Sequence, residues 1–508
     1  MFRKILSVGG WTLVSRLTGF IRDVVIAAVM GIGPVADAFF VAFRIPNHFR
    51  AIFGEGAFNN AFLPTYVQVL ETGGKKAATS FASRIVTLML IVQIALLVVA
   101  FLAMPGVVRL LAPGFSNDPA KFDLAVSLTR ITFPYLLLIT IVTIYSAILN
   151  AHERFWAAAA APVLLNVAMI AALAVVFLFP NAGYAAAWGV TISGMLQLAL
   201  VWWEAKRAIA LPGIERPRMD RPMKTFFKAL GPAVVGSAGV QLAIFADTII
   251  ASFLPTGAVS SLYYADRLYQ LPLGVIGIAA GTVLLPEMSR RIAAGDEAGA
   301  YAAQNRTIGL TLALAAPFLV AFLVMPDLIM SALFQRGAFD AQAAQRSGAV
   351  LAAYGLGLPA AVLIRSAVAS FYARSDTATP LIASLTAVGV NILVKILLMG
   401  SYGVVGLALG TAIGVWVNLV LLFVLAHRRG WTAPNRSLGK TCLSVALASL
   451  FLAVFAWFAP APLERWAALL PIWRNEILLG ILGVIGALIY GGALLAGMRL
   501  MGVRLARR

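Results

Sequence analysis

The sequence predicts an all-α polytopic membrane protein of fourteen transmembrane helices, built as two six-helix lobes plus two C-terminal helices. Three observations predict it: an apolar composition, fourteen apolar stretches of helix length, and an internal repeat of about 222 residues.

Of the 508 residues, 61% are hydrophobic and only 12% charged. Soluble domains carry about 25% charged residues. The stretches run near 5–30, 34–60, 84–104, 131–150, 158–179, 184–204, 228–253, 258–286, 307–326, 347–372, 380–399, 402–426, 441–459 and 476–498. Each is close to the roughly 20 residues that span a bilayer. The basic-then-apolar start resembles a signal peptide. The apolar stretch nevertheless continues to Met30 through Arg16 and Arg22 without a small-residue cleavage site, so it reads as a retained first helix.

The formal charge of +19 would suggest nucleic acid in a soluble protein. With the N-terminus inside, 25 Lys and Arg fall in cytoplasmic loops and ends, seven outside and seven within the membrane. That bias predicts both termini in the cytoplasm and contact with anionic lipid, not nucleic acid. Lys121 is among the seven placed outside. A single cysteine, Cys442, and three scattered histidines exclude disulfides and multi-cysteine or histidine-cluster metal sites.

The repeat aligns Gly33–Pro64 with Gly257–Pro286 and sets Arg44 opposite Arg267. Ser146 and Arg154 match Ser366 and Arg374, and Asn166 matches Asn391. An even number of helices per repeat preserves orientation, so the halves are related by an axis along the membrane normal. The expected organisation is 1–205 for the first lobe, 206–227 for a basic proline-containing linker, and 228–427 for the second lobe. Residues 428–508 hold the last two helices and a basic end.

Charges inside the membrane are expensive, so they mark function. In the first helix, Thr12, Arg16, Gly19 and Asp23 share one face, bordered by Arg22. Arg16 and Asp23 can partly neutralise each other. The second helix carries Asp37, Arg44 and Asn47, then Arg50 beyond Pro46, with Gly54-Glu55-Gly56 as a further break. Broken helices at membrane depth mark transport cavities. Arg44 reads either as a structural partner of Asp37 or as a ligand contact. Asp266 reads as an arginine partner beside Arg267, with a break at Pro272 and Gly274. Arginine suits phosphate, because its planar fork bonds bidentately and stays protonated. Asp247 and Lys395 read as an ion pair, or Asp247 with Asn391 as a cation site; Arg365 is a structural or cavity charge without an assigned partner. No G-x-x-x-x-G-K-[ST], H-E-x-x-H or nucleophile elbow occurs, which argues against an ATPase or another enzyme.

Residues Ser15–Asp23, Ala36–Phe39, Phe43–Asn47, Gly54–Phe58, Tyr263–Leu268, Leu285-Pro286 and Phe371–Thr377 together resemble the MurJ (MviN) lipid II flippases, over essentially the whole chain. The resemblance implies a MATE-like fold of the multidrug/oligosaccharidyl-lipid/polysaccharide exporter superfamily in the bacterial inner membrane. It implies export of undecaprenyl-diphosphate-linked disaccharide pentapeptide for peptidoglycan synthesis, with cell-wall synthesis proteins as candidate partners. It assigns Arg22, Arg50 and Arg267 to the diphosphate, Arg16 to the cavity, and Asp23, Asp37 and Glu55 to steering. Ser260 falls on the cavity wall, and the last two helices form a groove for the lipid tail. Some relatives bind sodium through an acid on helix 7 and an Asn and acid on helix 11. Asp247 and Asn391 match, but Lys395 holds the second acid's place, and its ammonium can replace the ion. No other cofactor is expected. The rival readings are an exporter of another lipid-linked oligosaccharide or of drugs. A cationic-drug carrier should present acids, not arginines.

Overall fold

A helix satisfies its own backbone polar groups, which lipid cannot do, and every regular element among the described residues is helical. The computed structural model describes residues 2–50, 57–209, 211–467 and 473–503. Gly54, Glu55 and Gly56 lie outside them, as do Arg504, Arg507 and Arg508. Among the described residues, ten helices are long and apolar enough to cross a bilayer. The chain divides into two compact units, Met1–Ser260 and Ser261–Arg508.

The first unit contains α1 (Phe2–Met30), α2 (Pro34–Phe49), α3 (Ala57–Leu102), α4 (Met104–Leu111), α5 (Pro119–Thr132), α6 (Tyr135–Ala151), α7 (Trp156–Ala174), α8 (Ala182–Ala208) and α9 (Arg221–Ser252). It closes on the first turn of α10 (Ala258–Pro272). Asp118, Asn181 and Asp220 cap α5, α8 and α9 by accepting backbone N–H bonds. Helix α7 packs between α1 and α8, α2 lies on α5, and α9 lies on α3. Helix α3 is broken at Gly74, and residues from both sides of the break share one core. There Phe62 stacks on Phe58 at 5.3 Å and on Phe81 at 5.7 Å, with Phe226 of α9 edge-on. Large apolar side chains such as Leu17, Val92 and Val99 remain exposed, as lipid-facing residues do.

Between α8 and α9 the chain is strapped along α3. Ser83 Oγ accepts the Gly213 N–H and Thr87 Oγ1 accepts the Glu215 N–H. Ser80 and Arg84 donate to the Glu215 carboxylate, and Arg84 also pairs with Asp220. The hydroxyl of Ser80, then the guanidinium of Arg84, hold the Glu215 pKa below its ordinary value.

The second unit continues α10 through a π-helical turn, Leu273–Gly277, into α11 (Ile278–Ala293). It then runs through α12 (Glu297–Val324), α13 (Pro326–Phe334), α14 (Ala341–Tyr372), α15 (Ala378–Arg428), α16 (Arg436–Phe458), α17 (Pro460–Ala467) and α18 (Arg474–Leu500). The π turn follows Pro272, which has no N–H to continue the ladder. Helix α15 joins two of the predicted stretches. It turns back at Gly403, whose φ of 52° favours glycine, so its halves pack antiparallel. A Cβ at Gly410 would lie 2.5 Å from Lys395 Cγ and 3.2 Å from the Lys395 nitrogen, so the halves touch through glycine. Helices α16 and α18 pack on each other and on α12, where Tyr490 donates to the Ala313 carbonyl at 2.7 Å. The Phe371–Thr377 motif is a fastening. Arg374 pairs with Glu297, Asp376 pairs with Arg429, and both guanidinium groups flank the Trp431 ring.

Two outcomes follow for these contacts. The Glu215 contact is present above the ordinary carboxylate range and lost as pH falls through its lowered folded-state pKa. Glu215→Gln imitates that loss at neutral pH. Trypsin should then cut after Arg218 several times faster than in the parent; equal rates would mean the strap does not depend on this charge. Gly410→Val should destabilise the second unit by about 1–3 kcal/mol, read as a lower melting temperature in detergent. An unchanged melt would contradict the tight α15 hairpin.

Candidate functional site

The arginines of α1 fall into two environments. Arg22 is 6% exposed and Asp23 4%, and the two form an adjacent ion pair of 2.7 Å. Arg22 Nε also donates to Asp23 at 3.1 Å, and Nη1 donates to Asn166 Oδ1 of α7 at 3.0 Å. Asn166 Nδ2 donates in turn to the Ser15 carbonyl and to Thr18 Oγ1. Gly19 lies against this amide, where a Cβ would sit 3.5 Å from Asn166 Nδ2, in ordinary contact. Asn166 therefore fixes the plane of the guanidinium, whose charge sits over the Phe43 ring. Arg16 is exposed. The expected Arg16–Asp23 neutralisation does not form. Seven residues separate them, roughly 10 Å along the axis, whereas Arg22 is adjacent.

On α2, Asp37 is 1% exposed and accepts four hydrogen bonds. Lys121 Nζ of α5 and the Gly257 N–H reach Oδ2 at 2.9 and 2.8 Å. The Ser260 N–H and hydroxyl reach Oδ1 at 2.9 and 2.8 Å. Gly257 and Ser260 stand at the start of α10, where backbone N–H groups lack an intrahelical acceptor and a helix attracts negative charge. The carboxylate of one helix thus caps another. The partner of Asp37 is Lys121, not Arg44, and Lys121 is itself 5% exposed rather than a loop charge. The Arg44 Nε is buried without a hydrogen bond among the described residues. Arg50 ends α2 with a long 3.5 Å contact from Nη2 to Asn47. Glu55 lies outside the described residues.

In the second unit, Arg267 donates to the Tyr263 hydroxyl at 3.1 Å and lies over that ring at 4.6 Å. The aromatic face holds the charge by a cation–π contact. Asp266 accepts from Gln270, one turn on. Lys395 is 1% exposed on α15, and Asn391, one turn earlier, has a buried Oδ1 without a hydrogen bond among the described residues. Asp247 sits half-buried on α9 in the first unit. The structure thus brings together Arg22 with Asp23, and Asp37 with Ser260. Sequence reading missed Lys121 as the counter-charge and Asn166 as the orienting amide. Asn166 carried one signal, its repeat match to Asn391. Lys121 carried none, lying 84 residues from its partner.

The comparisons with known proteins agree with one another. The family model described as lipid II flippase MurJ matches residues 26–474. A probable lipid II flippase MurJ of Rhizobium meliloti (strain 1021) is 43% identical over 435 residues, covering 85% of this chain and 81% of that protein. One from Rhizobium tropici is 39% identical over 495 residues, covering 96% and 92%. A solved lipid II flippase MurJ in an inward closed conformation is similar with a TM-score of 0.80 and 25% identity, over 97% of this chain and 99% of that one. An inward-facing MATE family multidrug transporter of the MOP superfamily shares the fold, with a TM-score of 0.69 at 14% identity, over 82% and 94%.

The Asp37–Lys121 pair has a measurable consequence. Asp37→Ala leaves a buried ammonium without its counter-charge, at a cost of about 3–5 kcal/mol. The melting temperature should fall sharply, and adding Lys121→Met should restore much of it. Equal melts for Asp37→Ala and the parent would show that the pair carries no such weight.

Proposed function

The chain belongs to the lipid II flippase MurJ family, and from that premise we propose how its own residues move the lipid. It is a multi-pass membrane protein that carries undecaprenyl-diphosphate-linked disaccharide pentapeptide from the inner to the outer leaflet. The observation that carries this reading is the family match over residues 26–474; the arginines supply its chemistry. The excess of Lys and Arg in alternate loops supports cytoplasmic termini and a count of fourteen spans.

In this reading the headgroup enters a wet cavity while its tail stays in lipid, beside the apolar helices α16 and α18. Arg22, Arg50 and Arg267 bind the diphosphate through bidentate, charge-assisted bonds. Support comes from how Arg22 is held. Its fork already grips one carboxylate, Asp23, in the geometry a phosphate oxygen would use. Asn166 keeps that fork aimed, so exchange of Asp23 for substrate needs little reorganisation. Arg267 rests on Tyr263, a neutral aromatic partner that an anion can outcompete. Arg16, exposed on the same helix, adds positive potential. Arg44, Asp23 and Glu55 steer. The lobes then alternate access.

The proposed energy source is the membrane potential, which favours anion export by about 2.3 kcal/mol per charge per 100 mV. Lys395 supplies a fixed positive charge where a coupling cation would otherwise sit, so no sodium step is proposed. Chemical catalysis has no part in the cycle.

Depletion of the protein in cells lacking a redundant flippase should trap lipid II in the inner leaflet, as read by a leaflet-specific label. Normal appearance in the outer leaflet would overturn the function. Arg22→Ala, Arg50→Ala and Arg267→Ala should each abolish complementation at normal expression. Growth with all three replaced would remove the proposed site.

A further inference from the structure

Arg365 of α14 is used by nothing described above. Tyr354, Leu358 and Arg365 are spaced i, i+4, i+11, one stripe on α14. Tyr354 stacks on Tyr269 of α10 at 5.3 Å. Further along, the Arg365 stem lies across Gly277 and Gly281, where an added Cβ would meet it at 3.9 and 3.5 Å. The π turn and α11 thus run beside α14 in the same direction. The stem therefore lies against the glycine-bearing face of this segment. Its guanidinium is exposed, with no hydrogen bond or ion pair among the described residues. A bare guanidinium against lipid is too costly to retain, so this face is wet. By helix rise, Arg365 lies just under about 20 Å along the unit from the level of Arg267, two residues before Tyr269.

We infer that Arg365 is a second anion-binding station, which takes a carboxylate of the substrate's peptide while Arg267 holds the diphosphate. This rests on the diphosphate reading of Arg267. The spacing separates the two ligands. A diphosphate is far too short to touch both arginines. A pentapeptide extends to roughly 17 Å and starts from the sugar next to the diphosphate, so its carboxylate reaches. The planar fork of arginine matches a carboxylate bidentately. The station would therefore read the peptide, and with it whether the precursor is complete.

The test uses the purified full-length protein in nanodiscs with two probes, lipid II carrying its pentapeptide and undecaprenyl diphosphate without sugar or peptide. Arg365→Ala should weaken lipid II binding about tenfold, the scale of one charge-assisted contact. It should leave undecaprenyl diphosphate within twofold, with an unchanged melting temperature. Arg365→Lys should recover part of the loss. Equal weakening of both probes, or of neither, would overturn the assignment. Arg267→Ala should weaken both probes; if it spares undecaprenyl diphosphate, the diphosphate reading fails, whatever Arg365 does.

Discussion

A carboxylate buried in a membrane protein persists only when each oxygen is satisfied, and Asp37 meets that condition with four donors. Desolvating a carboxylate costs several kcal/mol even after relaxation. One ammonium alone would leave lone pairs unmet. The backbone N–H groups at the start of α10 meet them, and those groups would otherwise be orphans themselves. Three chain segments distant in sequence are therefore held by mutual need: α2, α5 and the residues that close the first unit. The interaction is strong because it is shielded from water, and it is all-or-none for the same reason. That combination suits a clasp better than a glue.

The two units solve the problem of intramembrane arginine differently. In the first, Arg22 has an ionic partner and a neutral amide, Asp23 and Asn166. In the second, Arg267 has an aromatic ring and a phenol, both from Tyr263. An ion pair orients the fork and guards it; a cation–π contact holds the charge and yields more readily.

The helix breaks have a common physical cause. Pro272 removes an N–H and Gly403 permits a positive φ, and each interruption is absorbed by neighbouring protein. The π turn after Pro272 rests on α14, and the Gly403 turn leads into a glycine-lined hairpin. Irregular backbone at membrane depth survives only where protein or water covers it.

Composition and periodicity alone determined that this chain is a helical membrane protein, because lipid admits few other backbones. The segment lengths, the repeat and the expensive arginines were all legible, since each is a local cost paid residue by residue. The family motifs were legible too, and the comparisons bear them out. What only the tertiary structure decided is which charge meets which. Arg16 and Asp23 share a helical face yet do not pair, because seven residues are too many turns. Asp37 chose Lys121, 84 residues away, over Arg44 on its own helix. Asn166 aims Arg22 from another helix altogether. Pairing depends on distance in space, and sequence reports distance only within one helix.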